Sequence, residues 1–306
     1  MLLTMRIDVE FEGHGGVTLR GWMYVPEAAT DAVPGVVMAH GFSGVKEQGL
    51  DRYAEVFCEA GLVALVYDHR NFGASDGEPR QLINPWAQAR DYRHAIGWLA
   101  GRPEVDADRL AVWGTSYSGG QVVVLGAVDE RVKAVVSNVP FTGYPGVDYE
   151  NAVGRSDGIR EALFDESGRG LADVGEVMGP ITLVGEPGSD QESMFGEGDA
   201  SDLFLGTDEN GVSSWQNFVN VQNAVAGDPP WDPGYSFSHL VVPLLMVVAS
   251  QDTVAPADLA LASFERSPEP KQLHIVDCTH FAAYDGEYFD SASVVMRDFL
   301  LDHLAR

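Results

Sequence analysis

The feature that most constrains this chain is a succession of short, continuously apolar runs, each closed by a turn residue. They read "GVVMAHG" (35–41), "LVALVYD" (62–68), "LAVWG" (110–114), "VKAVVSNV" (132–139), "VVPLLMVVAS" (241–250) and "KQLHIVD" (271–277). A strand that is apolar at every position has to be covered on both faces, which is the condition of a parallel strand between helical layers. Helical spacing lies between the runs. Tyr53, Val56, Phe57 and Ala60 share one face, as do Ala89, Tyr92, Ile96 and Leu99, and then Phe289, Met296, Phe299 and Leu300. Strands alternating with helices are joined by right-handed crossovers. The pattern therefore predicts the α/β class, with a mostly parallel, doubly wound sheet of about eight strands. Near the start, "RIDVEF" and "VTLRGWMYV" alternate apolar with polar residues, as half-exposed antiparallel strands do.

The rhythm breaks between about Thr142 and Ser238. A structureless loop of that length is improbable in a compact domain. Phe164, Phe195, Phe204, Trp215, Phe218, Trp231, Tyr235 and Phe237 are scattered through it, and so many aromatics argue against a disordered linker. The expected organisation is a core of residues 1–141 and 239–306 with residues 142–238 inserted as a lid or cap, including a strand at "PITLV" (180–184).

The net charge is −27 over 306 residues, with only three lysines, Lys46, Lys133 and Lys271. A surface this acidic repels phosphate backbones and anionic lipid, so neither nucleic acid nor membrane is expected as a partner. It fits solubility or a salty cytoplasm, and as an alternative a preference for cationic substrates. No apolar run approaches the roughly 18 residues of a membrane span. The first residues, "MLLTMRIDVEFEG", have no basic region leading into an apolar stretch. Two cysteines, Cys58 and Cys278, make neither a disulfide framework nor a metal-ligand spacing. A cytoplasmic enzyme is the expectation, with a homodimer left open.

Within "LAVWGTSYSGGQVVV" (110–124) an apolar run stops at Gly114 and another resumes after Gly120. Strand, sharp turn with a nucleophile, and helix make a nucleophile elbow. The strained turn demands small neighbours, which Gly114, Gly119 and Gly120 supply, and a helix starting near Tyr117 would aim its first amides at the site. Ser116 falls where the chain leaves the sheet. Ser118 would lie inside the first helical turn, where Ser is an ordinary residue, so Ser116 is the expected nucleophile.

A serine hydroxyl needs a base to take its proton. The elbow arrangement places nucleophile, acid and histidine in that chain order, with the histidine beyond the last strand. Of eight histidines only His280, in "VDCTHFAAYDGEYF", follows the last strand and precedes the last helix. Asp252, in "LLMVVASQDTVAPADLA", stands just past the preceding apolar run. Its rival Asp258 reads better as a first-turn helix charge after Pro256. The oxyanion donors would be the backbone amides of Tyr117 and of Phe42, the latter in the turn after "VVMAHG". Phe42, Tyr117, Phe141 and the aromatics of the insertion, Trp215 among them, would line a mostly apolar acyl or alcohol pocket. His40, Asp252 and His280 could be mistaken for a metal set, but the elbow explains them better; no metal or cofactor is expected.

Four landmarks in order, "HGFSG" (40–44), "DHRNFGASDG" (68–77), "GTSYSGG" (114–120) and the Asp252/His280 pair, resemble the α/β-hydrolases. The G-x-S-Y-x-G form is similar to the Xaa-Pro peptidase and cocaine-esterase group. The longer run of motifs resembles the dienelactone-hydrolase-like and fungal polyketide-transferase-like hydrolases, although dienelactone hydrolases carry Cys where this chain has Ser116. The resemblance implies the α/β-hydrolase fold, a Ser-His-Asp triad and acyl-transfer chemistry on a small acyl substrate. Ester hydrolysis is the first expectation; acyl transfer, or a thioester or peptide substrate, is the alternative.

Overall fold

The apolar runs become the inner strands of one sheet because two helical layers cover them. The computed structural model describes residues 4–27, 30–152, 154–165, 176–185, 188, 192–196, 198–205, 213–222 and 230–305. In chain order the first elements are β1 (Thr4–Glu12), β2 (Thr18–Pro26), β3 (Val33–Ala39), α1 (Leu50–Glu59), β4 (Val63–Tyr67), β5 (Leu82–Ile83) and α2 (Pro85–Ala100). There follow β6 (Val105–Thr115), α3 (Tyr117–Val128), β7 (Val132–Asn138), α4 (Arg155–Phe164), β8 (Val177–Thr182), α5 (Asp199–Leu205) and β9 (Phe218–Gln222). The last are β10 (Leu244–Ala249), α6 (Ala257–Arg266), β11 (Lys271–Val276) and α7 (Gly286–Leu304).

Among the described residues eight strands form the main sheet in the order β1-β2-β4-β3-β6-β7-β10-β11. β1 pairs antiparallel with β2 and β2 with β4; every later pairing is parallel. Successive side chains of a strand leave opposite faces, and the core divides accordingly. Val36, Met38, Val66 and Trp113 pack with Tyr53 and Phe57 of α1 and Met296 and Phe299 of α7. Val37, Ala39, Leu65 and Val112 pack on the other side with Tyr92 and Ile96 of α2, Val122 of α3 and Phe264 of α6. Among the described residues no helix is long and apolar enough to cross a membrane.

One strand departs from the expectation of two covered faces. β11 is the sheet's edge, and Ile275 on it is 53% exposed. Its run differs from that of β10: Lys271, Gln272 and His274 stand in β11 where β10 is apolar throughout, and such polar residues suit a strand at the end of a sheet.

Between β7 and β10 the described chain adds α4, α5 and two strands, β8 and β9, of a small three-stranded sheet. In that sheet β9 pairs antiparallel with β8 and parallel with β5, so two residues before α2, Leu82 and Ile83, join Asn220 and Val221. The strand expected at 180–184 is displaced toward the N-terminus. β8 runs from Val177 to Thr182, and Val184 instead makes an isolated bridge to Phe195.

The two ends of this excursion are tied together. Tyr149 Oη accepts the Tyr144 amide at 2.7 Å and donates to Asp232 Oδ2 at 2.9 Å, and Asp232 Oδ1 accepts the Gly234 amide at 2.8 Å. Burial pushes the Asp232 carboxyl up to about 6, against the Gly234 amide and Tyr149, which favour its charged form. A carboxyl raised on folding contributes stability that is fully present below the unfolded value and is lost as pH rises through the folded one. Asp232→Asn, neutral throughout, should therefore gain stability relative to the unsubstituted chain between pH 4 and pH 7.5. Urea unfolding of both at the two pH values measures this, and a constant difference between them would remove Asp232 from the pH dependence.

Candidate active site

β6 lies at the centre of the sheet, and the chain leaves it at Ser116 with φ 53° and ψ −116°. A non-glycine residue held there costs roughly 1–3 kcal/mol and persists only where its surroundings fix it. The Ser116 amide donates to Asn138 O at 2.9 Å, and Ser116 O accepts the Phe141 amide at 2.9 Å, so the turn after β7 grips the serine's backbone on both sides. The glycines are spatial necessities. A Cβ on Gly114 would lie 2.2 Å from Ser118 O, and one on Gly120 would lie 2.4 Å from Phe141 O.

Asp252 follows β10 and His280 follows β11, so all three side chains gather at the carboxyl edge of parallel strands. His280 Nε2 is 3.0 Å from Ser116 Oγ, and His280 Nδ1 is 2.6 Å from Asp252 Oδ2. The His280 and Asp252 side chains are each 2% exposed. Asp252 Oδ1 accepts the amides of Val254 at 2.9 Å and Ala255 at 2.8 Å. With Oδ1 held by two amides, Oδ2 faces the imidazole as an acceptor. Nδ1 then carries the proton, and the Nε2 lone pair is left facing Ser116. Asp258 lies in the first turn of α6, where its carboxylate accepts the Leu259 amide.

Phe42 and Tyr117 flank the serine. Tyr117 opens α3, and first-turn amides have no partner in their own helix. A Cβ on Gly41 would lie 3.0 Å from Ser116 Cβ, so the turn carrying the Phe42 amide passes directly over the serine. The landmark "DHRNFGASDG" supports that turn from below. Buried Asp68 accepts the Lys46 amide at 2.8 Å, Lys46 Nζ at 2.6 Å and the Ala74 amide at 2.9 Å.

Sequence reasoning missed a polar knot beneath the site. Ser118 is fully buried; its hydroxyl donates to His40 O at 2.6 Å, stands 2.9 Å from His69 Nε2, and has the Gln121 side chain 3.0 Å away. His40 Nε2 accepts the His69 amide at 3.1 Å, so its own proton is on Nδ1, 2.9 Å from Gly41 O. Burial lowers the His40 imidazole's pKa and pushes that of His69 well down, so both rings are neutral. With the Ser118 proton committed to His40 O, His69 Nε2 is the donor to Ser118. The one available signal was Ser118 itself, a serine where the elbow pattern has glycine. A second tie joins the histidine loop to the elbow, with Tyr284 Oη 2.6 Å from Thr115 Oγ1.

Two spaces meet at Ser116. One, of about 460 Å³, is lined by Phe42, Tyr117, Phe141, Met194, Val221 and Trp231 among others. The other, about 40 Å³, lies beside His280 and is walled by Phe195, Phe204 and Phe281. The structure thus brings Phe42, Tyr117 and Phe141 to the cavity at the serine. It does not bring Trp215. That ring stacks on Phe204 at 5.3 Å and lines neither space; it packs between the cluster of Phe204 and Phe281 and the cluster of Tyr117 and Leu183.

That fold, with a serine turned off its central strand toward a histidine, makes the chain an α/β-hydrolase. Comparison with known families narrows this: residues 15–282 match the X-Pro dipeptidyl-peptidase (S15) family, and the chain belongs to it. It is 31% identical to the quorum-quenching protein AidA of Acinetobacter baumannii (strain MDR-ZJ06), over 96% of this chain and 94% of that one. It is also 31% identical to the polyketide transferase grgF of Penicillium sp, over 98% and 97% of the two chains. Among solved structures, the α/β-hydrolase GrgF from Penicillium sp. sh18 superposes with a TM-score of 0.73 at 28% identity, covering 99% of this chain and all of that one.

Proposed function

We propose that the chain is a serine hydrolase that cleaves carboxylic esters through an acyl-enzyme. The observation carrying this reading is the contact chain Ser116–His280–Asp252, at 3.0 and 2.6 Å. Ser116 Oγ attacks the carbonyl carbon as its proton passes to His280 Nε2, and the carbonyl oxygen becomes an oxyanion facing the Phe42 and Tyr117 amides. The C–O bond to the alcohol breaks, and the alcohol leaves with the proton held on His280. Water then gives a proton to His280 and its hydroxide to the acyl carbon. Ser116 departs, recovers that proton, and the carboxylic acid is released. Asp252 keeps the imidazole in the required tautomer and stabilises the imidazolium without taking the proton. We read the segment 142–238 as the lid, a reading supported by Met194, Val221 and Trp231 on it, which line the larger space at Ser116. We place the enzyme in the cytoplasm, in keeping with two buried free cysteines.

A second reading, passage of the acyl group to an alcohol or amine, is favoured by the 31% identity to a polyketide transferase. A fluorophosphonate probe with peptide mapping tests the common mechanism, and the adduct is expected on Ser116. Modification elsewhere, or none, overturns it. Adding an alcohol or amine acceptor and comparing new ester or amide with free acid separates transfer from hydrolysis.

A further inference from the structure

We propose that the larger cavity is the acyl site and takes a neutral, apolar acyl chain, while the leaving group sits in the narrow space beside His280. This rests on the serine-hydrolase reading and adds an orientation to it. Once Ser116 has attacked, the carbonyl carbon carries three other substituents. The oxyanion turns toward the Phe42 and Tyr117 amides. The leaving oxygen must receive its proton from His280 Nε2, so the leaving group lies on the His280 side. The acyl substituent takes the remaining direction. The larger cavity is lined by Ser116, Phe42 and Tyr117 but not by His280, whereas the narrow one is lined by Ser116, Phe42 and His280. Phe195, like Phe42, stands in the wall of both.

The chemistry of the larger cavity sets the class of acyl group. Its described lining holds no Asp, Glu, Lys or Arg. Tyr117 Oη donates to Gln88, and Gln222 Oε1 accepts from Asn84, so these polar groups are already engaged. At about 460 Å³ it is within the roughly 300–1,000 Å³ of small-molecule sites. Met178 and Met194 at its rim are 50% and 41% exposed, and unbranched thioethers adapt to chains of differing shape. The reaction in the family's name transfers an acyl group that ends in a dipeptide ammonium. Burying that charge against a described lining that holds no carboxylate would be costly, so the site favours a hydrocarbon chain over an X-Pro unit.

The test is a panel of p-nitrophenyl esters from acetate to laurate, with succinate as the charged counterpart of butyrate, on the unsubstituted chain and on Val221→Trp and Met194→Trp. Longer neutral chains should be preferred, and succinate should fall at least about tenfold below butyrate in kcat/KM. Filling the cavity should lower the octanoate-to-acetate ratio by at least about tenfold. The ranking of leaving groups, read with ethyl, phenyl and naphthyl esters of one acid, should hold. Fluorophosphonate labelling of Ser116 reports the triad separately, so an unlabelled parent chain removes the triad and not the acyl assignment. If Val221→Trp does not fold, Met194→Trp at the exposed rim carries the same reading. A variant that re-ranks leaving groups while the chain-length ratio holds would overturn the orientation. A preference for succinate would overturn the neutral class.

Discussion

Replacing Asp252 with Asn is expected to leave the fold intact and to lower kcat by about 10⁴-fold. The reason can be read atom by atom. Asp252 Oδ1 accepts the Val254 and Ala255 amides, and both are donors that cannot turn away. In Asp252→Asn the side-chain oxygen must stay with them, because the reverse orientation would set an NH₂ group against two N–H groups. The NH₂ then faces His280 Nδ1, 2.6 Å from the present Oδ2. Nδ1 has to become an acceptor, so the imidazole proton moves to Nε2. Nε2 is the atom facing Ser116 at 3.0 Å, and a protonated Nε2 cannot accept the hydroxyl proton. Volume and backbone hydrogen bonds are kept, so circular dichroism and the thermal midpoint should change little while ester turnover collapses. Near-full turnover in Asp252→Asn would remove Asp252 from the triad.

What was legible in the sequence follows from which features are local. β3, β4, β6, β7 and β10 were readable because burial on both faces gives each an unbroken apolar stretch. Ser116, Asp252 and His280 were readable because each lies in the turn just past an apolar run, and such turns collect at one edge of a parallel sheet. The edge position of β11 was not read, although Lys271, Gln272 and His274 within it mark a strand that is not covered on both faces. Nor was the composition of the larger cavity. Met178 and Val221 come from strands of the small sheet and Met194 from a stretch without periodicity, and the pairing of β5 with β9, with the packing of Ile83, Leu183 and Val219 on Tyr117, brings their neighbourhood to Ser116. Trp215 was chosen for its chemistry, yet which aromatic of an irregular insertion faces the serine is decided by packing. The Ser118 knot joins three chain segments, ending at residues 40, 69 and 118, and no spacing rule connects them.

That knot carries the second large effect. Ser118→Ala should lower both stability and turnover, by separable amounts. The substitution leaves His40 O without its donor and His69 Nε2–H without its acceptor, in a place where Ser118 is 0% and His69 1% exposed. Each orphaned buried group costs about 1–3 kcal/mol. The effect on chemistry comes through position. His40 O belongs to the peptide unit leading into Gly41 and Phe42, while Ser118 is in the same helical turn as Tyr117. The Ser118 hydroxyl therefore fastens together the two segments whose amides are proposed to meet the oxyanion. Misplacing one such donor costs up to about 10²–10³ in kcat, and KM should move little because the acyl cavity is untouched. Denaturant unfolding reads the first quantity, and steady-state kinetics with the rate of fluorophosphonate labelling read the second. A loss of stability with kcat and labelling rate unchanged would mean that Ser118 holds the fold alone. A parallel fall in kcat and labelling rate, in a chain still folded at the assay temperature, would tie the second serine of the turn to the geometry of the first.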